Sequence, residues 1–156
     1  MQRNGMSEEP DIKSRLRGIS ILLVEDDPDT LAIFDLFLTH MGATVATATT
    51  VKAALKMAEE VQPDILISDL QLPDGNGYDL LDMIRKLPSS SSKLIPAIVM
   101  TGHSTPFSEP AYNQGALSGG FQKFLAKPFN IDELLAAIAE FTRGVDQDAH
   151  VYCCDI

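Results

Sequence analysis

The sequence predicts a doubly wound α/β fold: a five-stranded parallel sheet with helices on both faces. Short apolar runs alternate along the chain with about five amphipathic stretches of helical spacing, the pattern of a parallel sheet covered on both sides. Runs such as "DILISD" are β-branched and too short for helices. No repeat of fixed period appears, which sets aside solenoids and propellers. The 156 residues suit one domain, and 45% hydrophobic with 22% charged residues is a soluble globular balance.

The elements follow in order. Residues 1–17 are polar, lack apolar periodicity and read as a flexible leader. Ile19 to Val24 form the first strand. A helix opens near Pro28 and Asp29 and places Leu31, Phe34, Leu38 and Met41 on one face, ending at Gly42. "ATVATA" is the second strand, and "TVKAALKMAEE" sets Val51, Ala54, Leu55 and Ala58 at helical spacing until Pro63. "DILISD" is the third strand, and the turn segment "LQLPDGNG" follows it. Gly75 and Gly77 read as turn glycines with positive φ. "YDLLDMIRKL" is a helix facing inward through Leu80, Leu81, Ile84 and Leu87, and "PSSSSK" is a loop.

"IPAIVMT" and "FQKFLAK" are strands four and five. Between them Pro106, Pro110, Gly115 and Gly119 predict an irregular stretch from Ser104 to Gly119. The last helix starts at "NIDELL", where Asn130 and Glu133 have capping-box spacing, and runs to about Thr142. A polar tail covers 144–156, leaving 18–143 as the folded domain.

Composition removes several functions. The formal net charge is −10 with no basic stripe, which argues against a nucleic-acid surface. No apolar run approaches a membrane span. Cys153 and Cys154 are neighbours and cannot staple a fold, so a reducing cytoplasm is the expected location.

The chemistry gathers at strand ends, where open parallel sheets bind ligands. Glu25 and Asp26 end strand one, Asp69 strand three, Thr101 strand four and Lys127 strand five. Three close carboxylates repel one another by ~4 kcal/mol per pair at ~4 Å near a protein surface, and a divalent cation reverses that sign. Oxygen ligands with room for water suit Mg2+; His40, His103 and His150 show no ligand spacing. Lys127 and Thr101 can then hold the phosphoryl oxygens that a metal leaves uncovered, and a carboxylate remains to act as nucleophile.

At this point the sequence resembles the receiver domains of two-component response regulators. "ILLVEDDPD", "PDILISDLQLPDGNGYDLL", "AIVMTGH" and "FLAKPF" carry the resemblance, in that order, across about residues 18–143. It implies a flavodoxin-like, receiver-type three-layer sandwich, and Asp69 as acceptor of a phosphoryl group from a histidine kinase or histidine phosphotransfer protein. By position, Asp26 matches the direct magnesium ligand, Glu25 the acid that acts through water, and Gln71 the residue whose backbone carbonyl reaches the metal. Thr101 matches the switch hydroxyl, Lys127 the phosphate-binding lysine and Phe124 the aromatic switch residue. The implied role is a phosphoacceptor signalling module, not an enzyme, with intrinsic autophosphorylation and autodephosphorylation. Its phosphorylation would control binding to a downstream protein that the sequence does not identify.

Gln71 and His103 match the two places that tune decay of the phosphate. Neither is an acid and both are bulky, so moderate or slow self-dephosphorylation is expected. Gly120 lies 19 residues past Thr101, a few more than is typical, and the extra residues fall in the stretch where such proteins usually carry the fourth helix, so the resemblance does not fix the shape of that face. The chain reads as a stand-alone receiver or one excised from a hybrid histidine kinase. Two other readings share the residues less well. A magnesium phosphohydrolase would want an acid where Gln71 stands, and a flavin carrier would want a Ser/Thr/Gly phosphate loop after strand one. A degenerate receiver would lack part of the acid, hydroxyl and lysine set. Asp27 and Asp29 read as helix caps.

Overall fold

The computed structural model describes residues 15–88, 95–101, 120–127 and 130–142. In order they form β1 (Ser20–Val24), α1 (Pro28–His40), β2 (Thr44–Ala48), α2 (Val51–Val61) and β3 (Ile65–Asp69). A short hairpin of β4 (Gln71–Leu72) and β5 (Gly75–Asn76) leads into α3 (Gly77–Arg85). Then come β6 (Ala97–Thr101), β7 (Lys123–Ala126) and α4 (Ile131–Thr142). Five strands make one parallel sheet in the order β2-β1-β3-β6-β7. The chain winds from β1 to one edge and returns past it to the other, so this doubly wound, flavodoxin-like sheet has its switch point between β1 and β3. His103, the stretch 104–119 and the tail 144–156 lie outside the described residues.

The uninterrupted apolar strands are explained by burial on both faces. Leu22, Val24, Leu66, Ala97 and Val99 point to one side and pack with Val51, Ala54 and Ala58 of α2 and Leu80, Leu81 and Ile84 of α3. Their neighbours Ile21, Leu23, Ile65, Ile67, Ile98 and Met100 point to the other, against Leu38 of α1 and Leu134 and Ile138 of α4. Each of the three central strands, β1, β3 and β6, therefore alternates between two dry layers. The packed body also begins earlier than expected. Leu16, expected in the leader, is buried in the α1/α4 layer, and its N–H donates to Met41 O at 2.9 Å. A turn through Gly18 brings the chain back so that Ile19 N donates to Leu16 O at 3.1 Å.

Helix ends follow local chemistry. Asp27 caps α1 by accepting from Thr30 N, with Pro28 in the first turn. Its far end closes through paired bonds, Ala43 N to Leu38 O and Gly42 N to Thr39 O, which the positive φ of Gly42 (102°) permits. Asn130 and Glu133 exchange side-chain to backbone bonds at 2.8 and 2.9 Å, the expected capping box of α4. The expectation for Gly75 and Gly77 is overturned, because neither has positive φ. What Gly77 supplies is room: a Cβ there would lie 2.9 Å from the Asp69 carbonyl oxygen.

Candidate functional site

Parallel strands bring their carboxyl ends to one edge, and the switch point opens a crevice between β1 and β3. Glu25 and Asp26 follow β1 directly, and Glu25 N still donates to Ala48 O of β2 at 3.1 Å, so the sheet fixes their backbone. Asp69 is the last residue of β3 and lies opposite Met100 of β6. One carboxylate oxygen from each of Glu25, Asp26 and Asp69 lies within 4.8 Å of the others. Their environments differ: Glu25 is 1% exposed, Asp69 8%, and Asp26 faces solvent.

The next two strands complete the site. Thr101 ends β6, buried, and its carbonyl accepts Lys127 N–H at 2.8 Å. That bond carries the sheet register one residue past β7 and brings the lysine side chain over the acids. Lys127 Nζ lies 2.6 Å from Glu25 Oε1 and 3.4 Å from Asp69 Oδ2. Glu25 also accepts Asp27 N–H at 3.1 Å through its second oxygen. Phe124, opposite Val99, is half-buried against the α2/α3 layer. Gln71 is exposed in β4, two residues past Asp69.

The electrostatics follow from burial and pairing. Burial holds the Glu25 carboxyl above its ordinary range; the Lys127 hydrogen bond and the Asp27 N–H oppose this, and the Asp69 charge adds to it. For Lys127 burial works downward, but the Glu25 hydrogen bond and the Asp69 and Glu25 charges outweigh it and leave the ammonium above its usual value. The crevice thus sets three carboxylates against the Lys127 ammonium. Hard oxygen donors this close, with one of them open to water, fit a small divalent cation that keeps part of its hydration shell.

Glu25, Asp26, Asp69 and Lys127 meet here; Thr101 is joined to Lys127 through its backbone carbonyl, Gln71 follows in β4, and Phe124 packs against the α2/α3 layer. Three further residues, all inside the quoted stretch "PDILISDLQLPDGNGYDLL" but given no part in the chemistry there, shape the site. Asp74, in the hairpin turn, accepts Val51 N at 2.7 Å and Lys52 N at 3.0 Å, tying the segment after Asp69 to the start of α2. Those bonds hold its carboxyl below the usual aspartate range. The Ser68 hydroxyl donates to the Asp69 carbonyl at 2.8 Å, and Gly77 leaves beside that carbonyl the space that a Cβ would fill. A helix-capping aspartate leaves a visible signal only when its helix is next in sequence, and the start of α2 precedes Asp74 by 23 residues.

Comparison with known proteins agrees with this fold. A family profile described as "Response regulator receiver domain" matches residues 21–139. An uncharacterized 14.6 kDa protein from the sodA1 3′ region of Leptolyngbya boryana is 33% identical over 134 residues, covering 86% of this chain and 98% of that one. The transcriptional regulatory protein KdpE of Mycobacterium tuberculosis is 33% identical over 123 residues, 79% of this chain; the match spans only 50% of KdpE. Among solved structures, the receiver domain of sensor histidine kinase PA1611 from Pseudomonas aeruginosa superposes with a TM-score of 0.68 at 28% identity. It covers 80% of this chain and 97% of that one, and it was crystallised with a magnesium ion coordinated in its active site cleft.

Proposed function

This chain belongs to the response regulator receiver domain family, and from that premise we propose that Asp69 is its phosphoacceptor, loaded by a histidine kinase or histidine phosphotransfer protein. The observation that carries the reading is the convergence of Glu25, Asp26, Asp69 and Lys127 from three strands onto one crevice. Receiver domains are signalling modules that bind Mg2+ at an acidic site, and the three acids fit that ion. Asp26, exposed, would ligate it directly, Glu25 through water, and Gln71 through its backbone carbonyl. Bound there, the metal would neutralise the acids and draw a donor's phosphoryl oxygens toward Asp69.

The chain's own residues supply the rest. A carboxylate oxygen of Asp69 forms the O–P bond as the P–N bond to the donor imidazole breaks, the electron pair leaving on that nitrogen. Lys127, already 3.4 Å from Asp69, would hold a phosphoryl oxygen, and Thr101 another. Thr101 moving toward the phosphate, with Phe124 turning inward, would bias a pre-existing equilibrium and change the surface offered to a downstream protein. Moderate or slow autodephosphorylation would follow from the non-acidic Gln71 and His103. We place the module in the cytoplasm; among the described residues no helix is long and apolar enough to cross a membrane.

Intact-mass spectrometry after treatment with acetyl phosphate and Mg2+ tests the reading. The wild type should gain one phosphoryl mass, and Asp69→Asn should not. Equal labelling of the variant would move the phosphate elsewhere. Amide exchange on the same samples should change between Thr101 and Phe124; identical exchange before and after labelling would remove the switch.

A further inference from the structure

The peptide joining Asp69 to Leu70 is held from three sides. Its N–H donates to Met100 O at 2.9 Å, a bond that continues the β3–β6 register. Its carbonyl oxygen accepts the buried Ser68 hydroxyl at 2.8 Å. Gly77 closes the third side. It is the first residue of α3, buried, and its own N–H donates to Leu70 O at 2.7 Å. A Cβ on Gly77 would lie 2.9 Å from the Asp69 carbonyl oxygen, 3.4 Å from Phe121 Cζ and 3.5 Å from Leu70 Cα. The first approach is closer than carbon and backbone oxygen tolerate. Neither party is a flexible side-chain end that could swing away. Relief must come from rotating the Asp69–Leu70 peptide or from lifting the start of α3.

We propose that Gly77, together with Ser68, is a positioning residue for the phosphoryl acceptor. The bare Cα lets α3 seat against the Asp69–Leu70 peptide, and the seated peptide sets the direction of the Asp69 carboxylate on one side and of Gln71 on the other. A shift here is passed to the 3.4 Å contact between Asp69 and Lys127 and to the spacing of the three acids. The inference rests on the reading of Asp69 as acceptor, and it adds two residues that touch neither the metal nor the phosphate.

The test uses the full chain and two readouts, Mg2+ affinity by calorimetry and the rate of labelling by acetyl phosphate at saturating Mg2+. Gly77→Ala should weaken Mg2+ binding and slow labelling, each roughly 10-fold, because a sub-ångström misplacement of reacting groups is felt directly in rate. Ser68→Ala, which removes the hydroxyl and no bulk, should move both readouts the same way by roughly 3-fold. Gly75→Ala should change neither, since its Cβ would meet only the Val51 side chain, Cγ2 at 3.1 Å and Cβ at 3.9 Å. Ile138→Val in the opposite layer should lower the melting temperature and leave Mg2+ affinity alone, which separates positioning from general destabilisation. Folded Gly77→Ala with wild-type affinity and rate overturns the proposal. If that variant does not fold, wild-type values for Ser68→Ala overturn it. Wild-type protein that takes no phosphoryl group at Asp69 removes the acceptor reading instead, and positioning of the acids then stands or falls on the Mg2+ titrations.

Discussion

Lys127 carries the clearest consequence at the scale of one residue. Glu25 is 1% exposed, and a carboxylate so far from water needs a partner; the ammonium supplies it at 2.6 Å. Lys127→Met keeps the aliphatic stem and removes the charge, leaving a buried carboxylate beside Asp69. Because the lysine side chain is 26% exposed, solvent screens part of the pair, and a loss of roughly 1–3 kcal/mol in urea unfolding is expected. Mg2+ should recover much of that loss by replacing the missing positive charge, while labelling by acetyl phosphate stays low because the phosphate loses its cation. A variant as stable as wild type without Mg2+ would show that the pair contributes nothing. The residues of this site were readable in the sequence because each is bound to a strand end, and strand ends can be counted. Ser68 and Gly77 were not, because their role depends on which atoms approach one carbonyl in space.

Elements were legible where one physical cause dominates. Dry central strands demand unbroken apolar runs, which marked β1, β3 and β6, whereas the partly exposed edge strands β2 and β7 showed as shorter mixed runs; the inward faces of α1, α2 and α3 were set by spacing. Ends governed by adjacent residues, such as Gly42 after α1 and Asn130 before α4, were also readable. Ends governed by distant residues were not. Leu16 joins the core through the Met41 carbonyl and through packing in the α1/α4 layer, and the hairpin between β3 and α3 is tied to α2 by Asp74. That tie predicts a pH dependence. The folded-state carboxyl of Asp74 lies below its ordinary range, so its contribution is fully present above the unfolded value, near pH 4, and is lost as pH falls through the folded value. Asp74→Ala should therefore melt a few degrees below wild type at pH 7, and the gap should close below about pH 4. A constant gap across the range would mean that packing of the turn, rather than the charge on its carboxylate, stabilises α2.

For the whole molecule, negative charge gathered at one edge of the sheet makes stability itself a reporter of the site. The chain carries a formal net charge of −10, so any salt relieves some repulsion, whereas a specific cation must bind the folded state alone. The acids approach within 4.8 Å only because β1 and β3 are adjacent in the sheet; an unfolded chain, with Asp69 more than forty residues from Asp26, offers no such site. Linkage then gives the size of the effect: at ten times its dissociation constant, Mg2+ should stabilise the fold by about 1.4 kcal/mol. For a domain of this length that is a rise of roughly 3–6 °C in melting temperature. Asp26→Ala should lose nearly all of the rise, because the exposed acid is the one free to ligate directly. Glu25→Ala should retain more of it, as the proposed water-mediated role requires. Sodium chloride at matched ionic strength supplies the comparison, since screening acts on the net charge and ignores which acid is present. An equal rise with sodium chloride, or an equal response of wild type and Asp26→Ala, would reduce the crevice to a patch of surface charge. The reverse order of the two variants would exchange the roles of the acids while leaving the site in place.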